Sequence, residues 1–233
     1  MLIQLDTVKH LVPGGIKRAL GKAIRRHALR GAIRQIAALA PGTIPSPVLI
    51  AKLQYGWGNA GFAASAAVLY EVAARTNVLE GPILECGTGI STLLLGLTAA
   101  RRGLSVWSLE IEPVWYEKVK LTMERYRIAG VHLCFSPLID YDDFTWYAPP
   151  LSTMPERFDL VFCDGPVGTT RTNRYGLFPV MRDRLGPGTV VILDDAQRAG
   201  EAGILRRWSL DRRIEVEYQK LSGRTLAVVR ILD

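Results

Sequence analysis

Residues 81–97 read GPILECGTGISTLLLGL, and the fold of the whole chain turns on how they are taken. Ile83 and Leu84 form a short apolar run that ends in an acid, Glu85. Gly87 and Gly89 follow, then Ser91 and Thr92, then a helix-like run over 93–100. The order is strand, tight glycine turn, helix start. Glycines in such a turn tolerate unusual φ/ψ angles and let a ligand approach the main chain. The first turn of the next helix presents unpaired N–H groups and a partial positive charge of about half a unit. An ordinary βα turn explains a glycine pair equally well, so the surrounding chain has to decide.

Downstream, strand-like and helix-like runs alternate. Residues 104–110 (LSVWSLE) are strand-like and end in acid, with a helix expected over 113–128. Residues 131–135 make a third strand, and 158–163 (FDLVFC) a fourth that ends at Asp164. A helix over 175–185 precedes a fifth strand at 188–193 (GTVVIL), which runs into Asp194 and Asp195; a helix over 201–208 follows. Two last strands, 213–221 and 224–232, are joined by Ser222-Gly223, a two-residue hairpin turn. The alternation predicts an α/β, Rossmann-like, doubly wound sheet, seven-stranded and mainly parallel, with an antiparallel C-terminal hairpin. Ligands of such sheets bind beyond the carboxyl ends of the strands, at the switch point. Four strands end in acid at that edge: Glu85, Glu110, Asp164 and Asp194/Asp195. One acid there is commonly a cap or turn residue; four along one rim point to function.

The details of the glycine turn narrow the ligand. A dinucleotide fingerprint needs a small residue three places after the second glycine, where this chain has Thr92. The acid two places before Gly87 would repel a pyrophosphate but suits an ammonium or hydroxyl donor. Glu85-x-Gly87-x-Gly89-x-Ser91 thus resembles motif I of the class I S-adenosylmethionine-dependent methyltransferases, and the resemblance extends over about residues 81–195. It implies S-adenosylmethionine as cofactor. Glu110 would take the ribose hydroxyls, Ile111 would pack near the adenine, and Pro137 and Leu138 would line its other face. Glu85 and Asp164 would face the methionine end, with Gly87, Thr88, Gly89 and Ser91 around the turn. Upstream, Tyr55-Gly-Trp57-Gly-Asn59 reads as a lid in which Trp57 and Asn59 reach the cofactor; packing on a neighbouring helix is the plain alternative.

Residues 158–164 and 188–195 are similar to the catechol-type, divalent-metal-dependent O-methyltransferases. Those hold magnesium with an aspartate after the fourth strand and an Asp-Asn pair after the fifth. The resemblance implies Asp164, Asp194 and Asp195 as oxygen ligands for Mg²⁺, although the pair here is Asp-Asp. The chain also departs from that type: where the catechol type has a lysine base, three positions after its fourth-strand aspartate, this sequence has Val167. Arg171 and Arg174 stand nearby instead; a guanidinium is no ordinary base, but it suits an acidic substrate, a phosphate or a sugar acid. A second reading follows, in which Asp164 or Asp195 is itself the base and no metal takes part. Asp164, Asp195 and Arg174 are the catalytic candidates.

Composition and charge exclude other classes. The chain has 233 residues, 48% of them apolar, enough for a sizeable core. Residues 1–50 hold eight Lys/Arg against Asp6 alone, so the net +7 belongs to this arm and the remainder balances. The body therefore needs no nucleic acid to explain the charge. The arm, residues 1–47, is read as a helix over 16–40 after a break at Pro13-Gly14-Gly15, then a linker marked by Pro41-Gly42 and Pro45-Ser46-Pro47; residues 48–233 form the methyltransferase-like domain. In the helix Ile16, Leu20, Ala23 and Ile24 cluster on one side, with Lys17, Arg18, Lys22, Arg25 and Arg26 on the other. Docking on the domain, peripheral membrane contact through residues 16–34, and nucleic-acid binding are the three readings, in that order.

Cys86, Cys134 and Cys163 are an odd number lying in or beside strand-like runs, which reads as buried thiols in a reducing compartment. With no span or signal peptide in the pattern, the expected location is cytoplasmic, with the inner membrane surface as the peripheral variant. His10, His27 and His132 are scattered, which argues against a Ser-His-Asp triad. A phosphate-binding Gly-x-x-x-x-Gly-Lys motif is absent, as is the Asp/Asn-Pro-Pro-aromatic motif of nucleobase amino methylation. The expected activity is methyl transfer to oxygen of a small molecule or glycan. The alternatives are aminopropyl transfer of the polyamine-synthase type and a non-catalytic cofactor-binding or membrane-surface protein. Acceptor choice is assigned to loops such as 141–157, and the oligomeric state stays open.

Overall fold

The computed structural model describes residues 14–59, 63–168, 171, 173–221 and 223–233. The expected Pro13 break, the helix start near Gly61, His10 and the Ser222 half of the hairpin turn lie outside them. Three helices come first: α1 (Gly14–Ala37), α2 (Pro47–Trp57) and α3 (Ala66–Thr76). Then β1 (Ile83–Cys86), α4 (Ile90–Ala100), β2 (Val106–Glu110), α5 (Pro113–Tyr126) and β3 (Val131–Phe135) alternate. A small hairpin, β4 (Leu138–Asp140) and β5 (Thr145–Tyr147), precedes β6 (Leu160–Cys163), α6 (Leu177–Met181), β7 (Val190–Leu193) and α7 (Ala199–Asp211). The long hairpin β8 (Ile214–Leu221) and β9 (Arg224–Ile231) closes the fold.

The main sheet has seven strands in the order β3-β2-β1-β6-β7-β9-β8. The first five in that order run parallel, and β9 is antiparallel to both β7 and β8. The strand order reverses between β1 and β6, so a crevice opens beyond their carboxyl ends. Strand alternation sorts the core into two layers. Ile83, Val106, Leu160 and Ile192 face α1 to α4. Leu84, Val161, Val191 and Leu193 face α6, α7 and the aromatic residues Phe144, Trp146 and Tyr147 around β5.

Helix α2 is absent from the sequence reading, which ended a linker at Pro47 and took residues 55–59 as a lid. Pro47 looks like a breaker, yet it stands at the helix start, where its missing N–H costs nothing. Ser46 caps the turn by accepting from Leu49 N at 3.3 Å, and Gly58 ends it at φ 76°. Ile50, Leu53 and Trp57 then fall on one buried face. Gly56 lies against α1 so closely that a Cβ there would come within 2.4 Å of Leu29 N. Leu29, Ala32, Ile33 and Ile36 of α1 are buried in the same core as the sheet, so packing crosses the expected boundary at residue 47. The β4–β5 hairpin was missed because three-residue strands carry too little alternation to register. The helix expected over 175–185 is the short α6 between two single 3₁₀ turns, Arg174–Gly176 and Arg182–Arg184.

Candidate active site

The glycine turn sits at the crevice. Gly87 adopts φ 89°, a conformation that favours glycine, and a Cβ there would come within 3.2 Å of Gly165 N. The backbone of Gly165 in turn donates to Cys86 O at 2.7 Å, and Asp164 N does so at 3.1 Å. The loops after β1 and β6 are therefore knitted together, and their two glycines face one another. Beside them opens a cavity of about 500 Å³. Gly87, Thr88, Gly89 and Ser91 form one wall, Glu110 and Ile111 a second, and Asp164, Arg174 and Asp195 a third. Trp57 and Asn59 reach its rim, with Trp57 at the end of α2 and not in a loop between glycines.

Glu110 is held by its neighbours. Its Oε1 accepts from the backbone N–H groups of Ile111 and Glu112, each at 2.8 Å, and its Oε2 accepts from Thr88 N at 3.1 Å and from the Thr88 hydroxyl. The carboxylate is thus fixed at the end of β2, only 5% exposed but on the cavity wall.

Two expectations need correction. Glu85 does not face the cavity. Alternation along β1 turns it to the same side as Ile83, under α4, where its Oε2 accepts from Ser108 Oγ at 2.6 Å and Thr92 Oγ1 at 2.7 Å. Thr92 Oγ1 also accepts from Gly89 N at 2.9 Å, so Glu85 braces the turn from behind. Pro137 and Leu138 do not line the cavity either: Pro137 is exposed and Leu138 is already the first residue of β4. Arg171, the other arginine of the loop after β6, pairs with Asp140 at 2.8 Å on the surface.

The three aspartates do converge, with one carboxylate oxygen of each within 4.8 Å of the others. Crowding and burial act on them. Burial first, then Asp194, pushes the Asp164 carboxyl up to about 6 against the pull of Arg174. Burial and Asp195 raise Asp194. Asp195 sits at φ 57°, a left-handed conformation that aspartate tolerates better than most residues, and its N–H donates to Asp194 Oδ1 at 2.8 Å.

Guanidinium groups surround the aspartates. Arg174 donates to the carbonyls of Asp194 at 2.6 Å and Asp164 at 2.5 Å, and pairs with Asp164 Oδ1 at 3.3 Å and Glu201 at 3.2 Å. Arg224, from the start of β9, lies 3.0 Å from Asp194 Oδ2 and 3.4 Å from Asp195 Oδ1. Arg198 meets Asp195 Oδ2 at 2.8 Å.

The fold has known counterparts. No protein-family model matches the chain, and no curated protein is similar to it in sequence. Among solved structures, a Podospora anserina methyltransferase, PaMTH1, bound to S-adenosylhomocysteine, is 14% identical with a TM-score of 0.59, covering 100% of this chain and 98% of that one. The O-methyltransferase from Bacillus cereus, in complex with S-adenosylhomocysteine, is 19% identical with a TM-score of 0.55, over 80% of this chain and 92% of that one. Cofactor-bound Rv0187 from MTB is likewise 19% identical at 0.55, over 88% and 89%. This chain has the class I methyltransferase fold.

Within that fold, the residues the sequence reading missed are mostly cations and aromatics brought in from far along the chain. Trp115 of α5 packs beside Trp57, ring centroids 6.2 Å apart, and Lys118 Nζ lies 4.2 and 4.1 Å over the two rings. Tyr147 closes the floor near Gly165. Arg198 and Arg224 complete the aspartate cluster. Only the buried acids hinted at them, since carboxylates grouped out of water need counter-charge, and nothing in the sequence says which arginine supplies it. The same pairing argues against Mg²⁺. A hard cation wants carboxylate oxygens free of competing cations, and Arg174, Arg198 and Arg224 already neutralise Asp164, Asp194 and Asp195. The donor set does not fit a resident metal.

Proposed function

We propose that the chain is an S-adenosylmethionine-dependent methyltransferase acting on a hydroxyl of a small molecule or glycan. The observation that carries the reading is that Glu110 and Asp164, ends of two different strands, share one cavity with the side-chain-free turn at Gly87. The residues present suit the cofactor. A Cβ at Gly87 or Gly165 would fill the space between the two loops. Glu110 presents a pinned carboxylate for a ribose diol, whose hydroxyls would take over the contact now made by the Thr88 hydroxyl. Trp57 and Trp115 give flat apolar surface at the rim, and with Ile111 they would hold the purine. When bound, the cofactor supplies an electrophilic methyl group on a positively charged sulfur. The protein's task is then orientation and removal of one proton.

That proton goes to Asp164 in this reading. Its side chain keeps 26% of its surface open to the cavity, and a carboxyl near 6 is ionised at neutral pH yet basic enough to accept a proton as the oxygen attacks. Arg174 holds it in place through its main-chain carbonyl and its Oδ1. Aminopropyl transfer is not favoured, because the arginines cancel the acidity an amine would seek. For any hydroxyl acceptor, turnover should climb through pH 6 as Asp164 loses its proton. Asp164→Asn should erase that limb, and EDTA should leave it unmoved. A profile identical in the variant would rule the aspartate out as base.

The cofactor assignment is tested by calorimetry with S-adenosylhomocysteine. Hydrogen bonds to a charged acceptor contribute about 1.5–3 kcal/mol each, so losing two in Glu110→Ala should weaken binding by at least about 100-fold. Undetectable binding by the unaltered protein, or unchanged affinity in the variant, would refute the assignment.

A further inference from the structure

Helix α1 has two halves with opposite habits. Its C-terminal half is docked through Leu29, Ala32, Ile33 and Ile36. Its N-terminal half carries Ile16, Leu20 and Ile24, which are 58%, 59% and 49% exposed. Each four-residue step advances about 40° around a helix, so these three form one narrow stripe. By the same geometry the stripe points roughly 170° away from the docked face. It cannot be an extension of the docked surface, because the helix would have to rotate by half a turn to bury it.

The rest of that half is cationic. By the same geometry Lys17, Arg30 and Arg34 fall within about 80° of the centre of the stripe and Arg26 about 120° from it, while Arg18, Lys22 and Arg25 lie on the opposite side, and Gly14–Ala37 contains no Asp or Glu. We propose that this half of α1 lies on an anionic lipid bilayer, with Ile16, Leu20 and Ile24 in the acyl boundary and the flanking cations among the headgroups. Three aliphatic side chains fall well short of the surface of about 800 Å² a side that a stable protein interface needs. A second copy would bring like charges together. A nucleic acid would leave the aliphatic stripe in water. An anionic bilayer satisfies both the stripe and the charge.

The anchor joins the body next to the cavity. Gly58 lies under Arg25, where a Cβ would be 3.1 Å from Arg25 Cδ, and its neighbours Trp57 and Asn59 are on the cavity rim. Lipid docking would therefore hold that rim close to the membrane surface. The inference does not depend on the chemistry performed in the cavity.

Co-sedimentation of the full chain with vesicles tests it. Phosphatidylcholine vesicles containing phosphatidylglycerol should pull the protein down at low salt. Phosphatidylcholine alone, or the mixed vesicles at high salt, should not. Ile16→Ser/Leu20→Ser/Ile24→Ser should weaken partition by about tenfold or more, and Arg26→Gln/Arg30→Gln/Arg34→Gln by on the order of 100-fold. Both triple variants should keep the thermal midpoint and the S-adenosylhomocysteine affinity of the parent, which separates a lost anchor from a lost fold. Equal partition by parent and variants would overturn the proposal. So would salt-sensitive binding to an oligonucleotide without binding to the mixed vesicles. A dimer in sedimentation velocity that the serine variant converts to monomer, again without vesicle binding, would overturn it in favour of self-association.

Discussion

Arg174→Met is expected to lower the free energy of unfolding by about 3–5 kcal/mol, the usual result of removing one partner from a buried ionic cluster. The side chain is 5% exposed and serves four groups at once: two main-chain carbonyls, the Asp164 carboxylate and Glu201. Methionine fills much of the volume but donates nothing. It leaves the carbonyls of Asp164 and Asp194 unsatisfied, and it leaves a surplus of carboxylates that Arg224 and Arg198 cannot neutralise from their own side. Arg174→Lys should fall between parent and Met, because a single ammonium keeps the charge but cannot span both carbonyls. Urea unfolding of the three proteins at neutral pH measures this. A methionine variant within about 1 kcal/mol of the parent would contradict it, since a surface pair contributes that little. The distinction matters for function, because a residue that holds Asp164 by its carbonyl is a positioning residue before it is a binding one.

How much of this was legible beforehand follows from what kind of signal each feature leaves. The strands and their carboxyl-end acids were readable, because β1, β2, β6 and β7 are short apolar runs that terminate sharply in Glu or Asp. The direction in which those acids point was not. Glu85 and Glu110 both end apolar runs, yet Glu85 is an interior residue of β1 and alternation sends it under α4, while Glu110 is the last residue of β2 and its carboxylate folds back on the following backbone. Glu85 stands level with Ser108, two positions short of Glu110, and that difference separates a brace from a cavity wall. Helix α2 was hidden by Pro47 and by glycines that turned out to mark its end and a close helix crossing. The arginines were hidden for a different reason: Arg224 meets Asp194 only because β9 is inserted beside β7, a fact of sheet order and not of local sequence.

Glu85→Gln should make the protein more stable above pH 7 and leave it unchanged below pH 4.5. Burial drives the Glu85 carboxyl up to about 7, offset in part by hydrogen bonds from Ser108, Ser91 and Thr92. In the unfolded chain the same group titrates near the ordinary 4.5. The folded state therefore holds its proton more tightly, so stability is greatest while both states are protonated and declines as pH rises from 4.5 through 7. At about 1.4 kcal/mol per pH unit, the gap amounts to roughly 3 kcal/mol once Glu85 ionises. Its Oε1 has no hydrogen-bond partner, which is why ionisation is so poorly supported there. Glutamine imitates the protonated acid: its carbonyl can accept from Ser108 and Thr92, and it never acquires charge. Other buried acids, Asp164 among them, also tilt the stability curve, so the informative quantity is the difference between parent and variant at each pH. That difference should open from zero near pH 4.5 to about 3 kcal/mol by pH 8. Two curves that stay parallel across the range would mean that Glu85 titrates in the folded protein as it does in the unfolded chain, near 4.5, and that at neutral pH the glycine turn is braced by a full negative charge instead of a neutral acid.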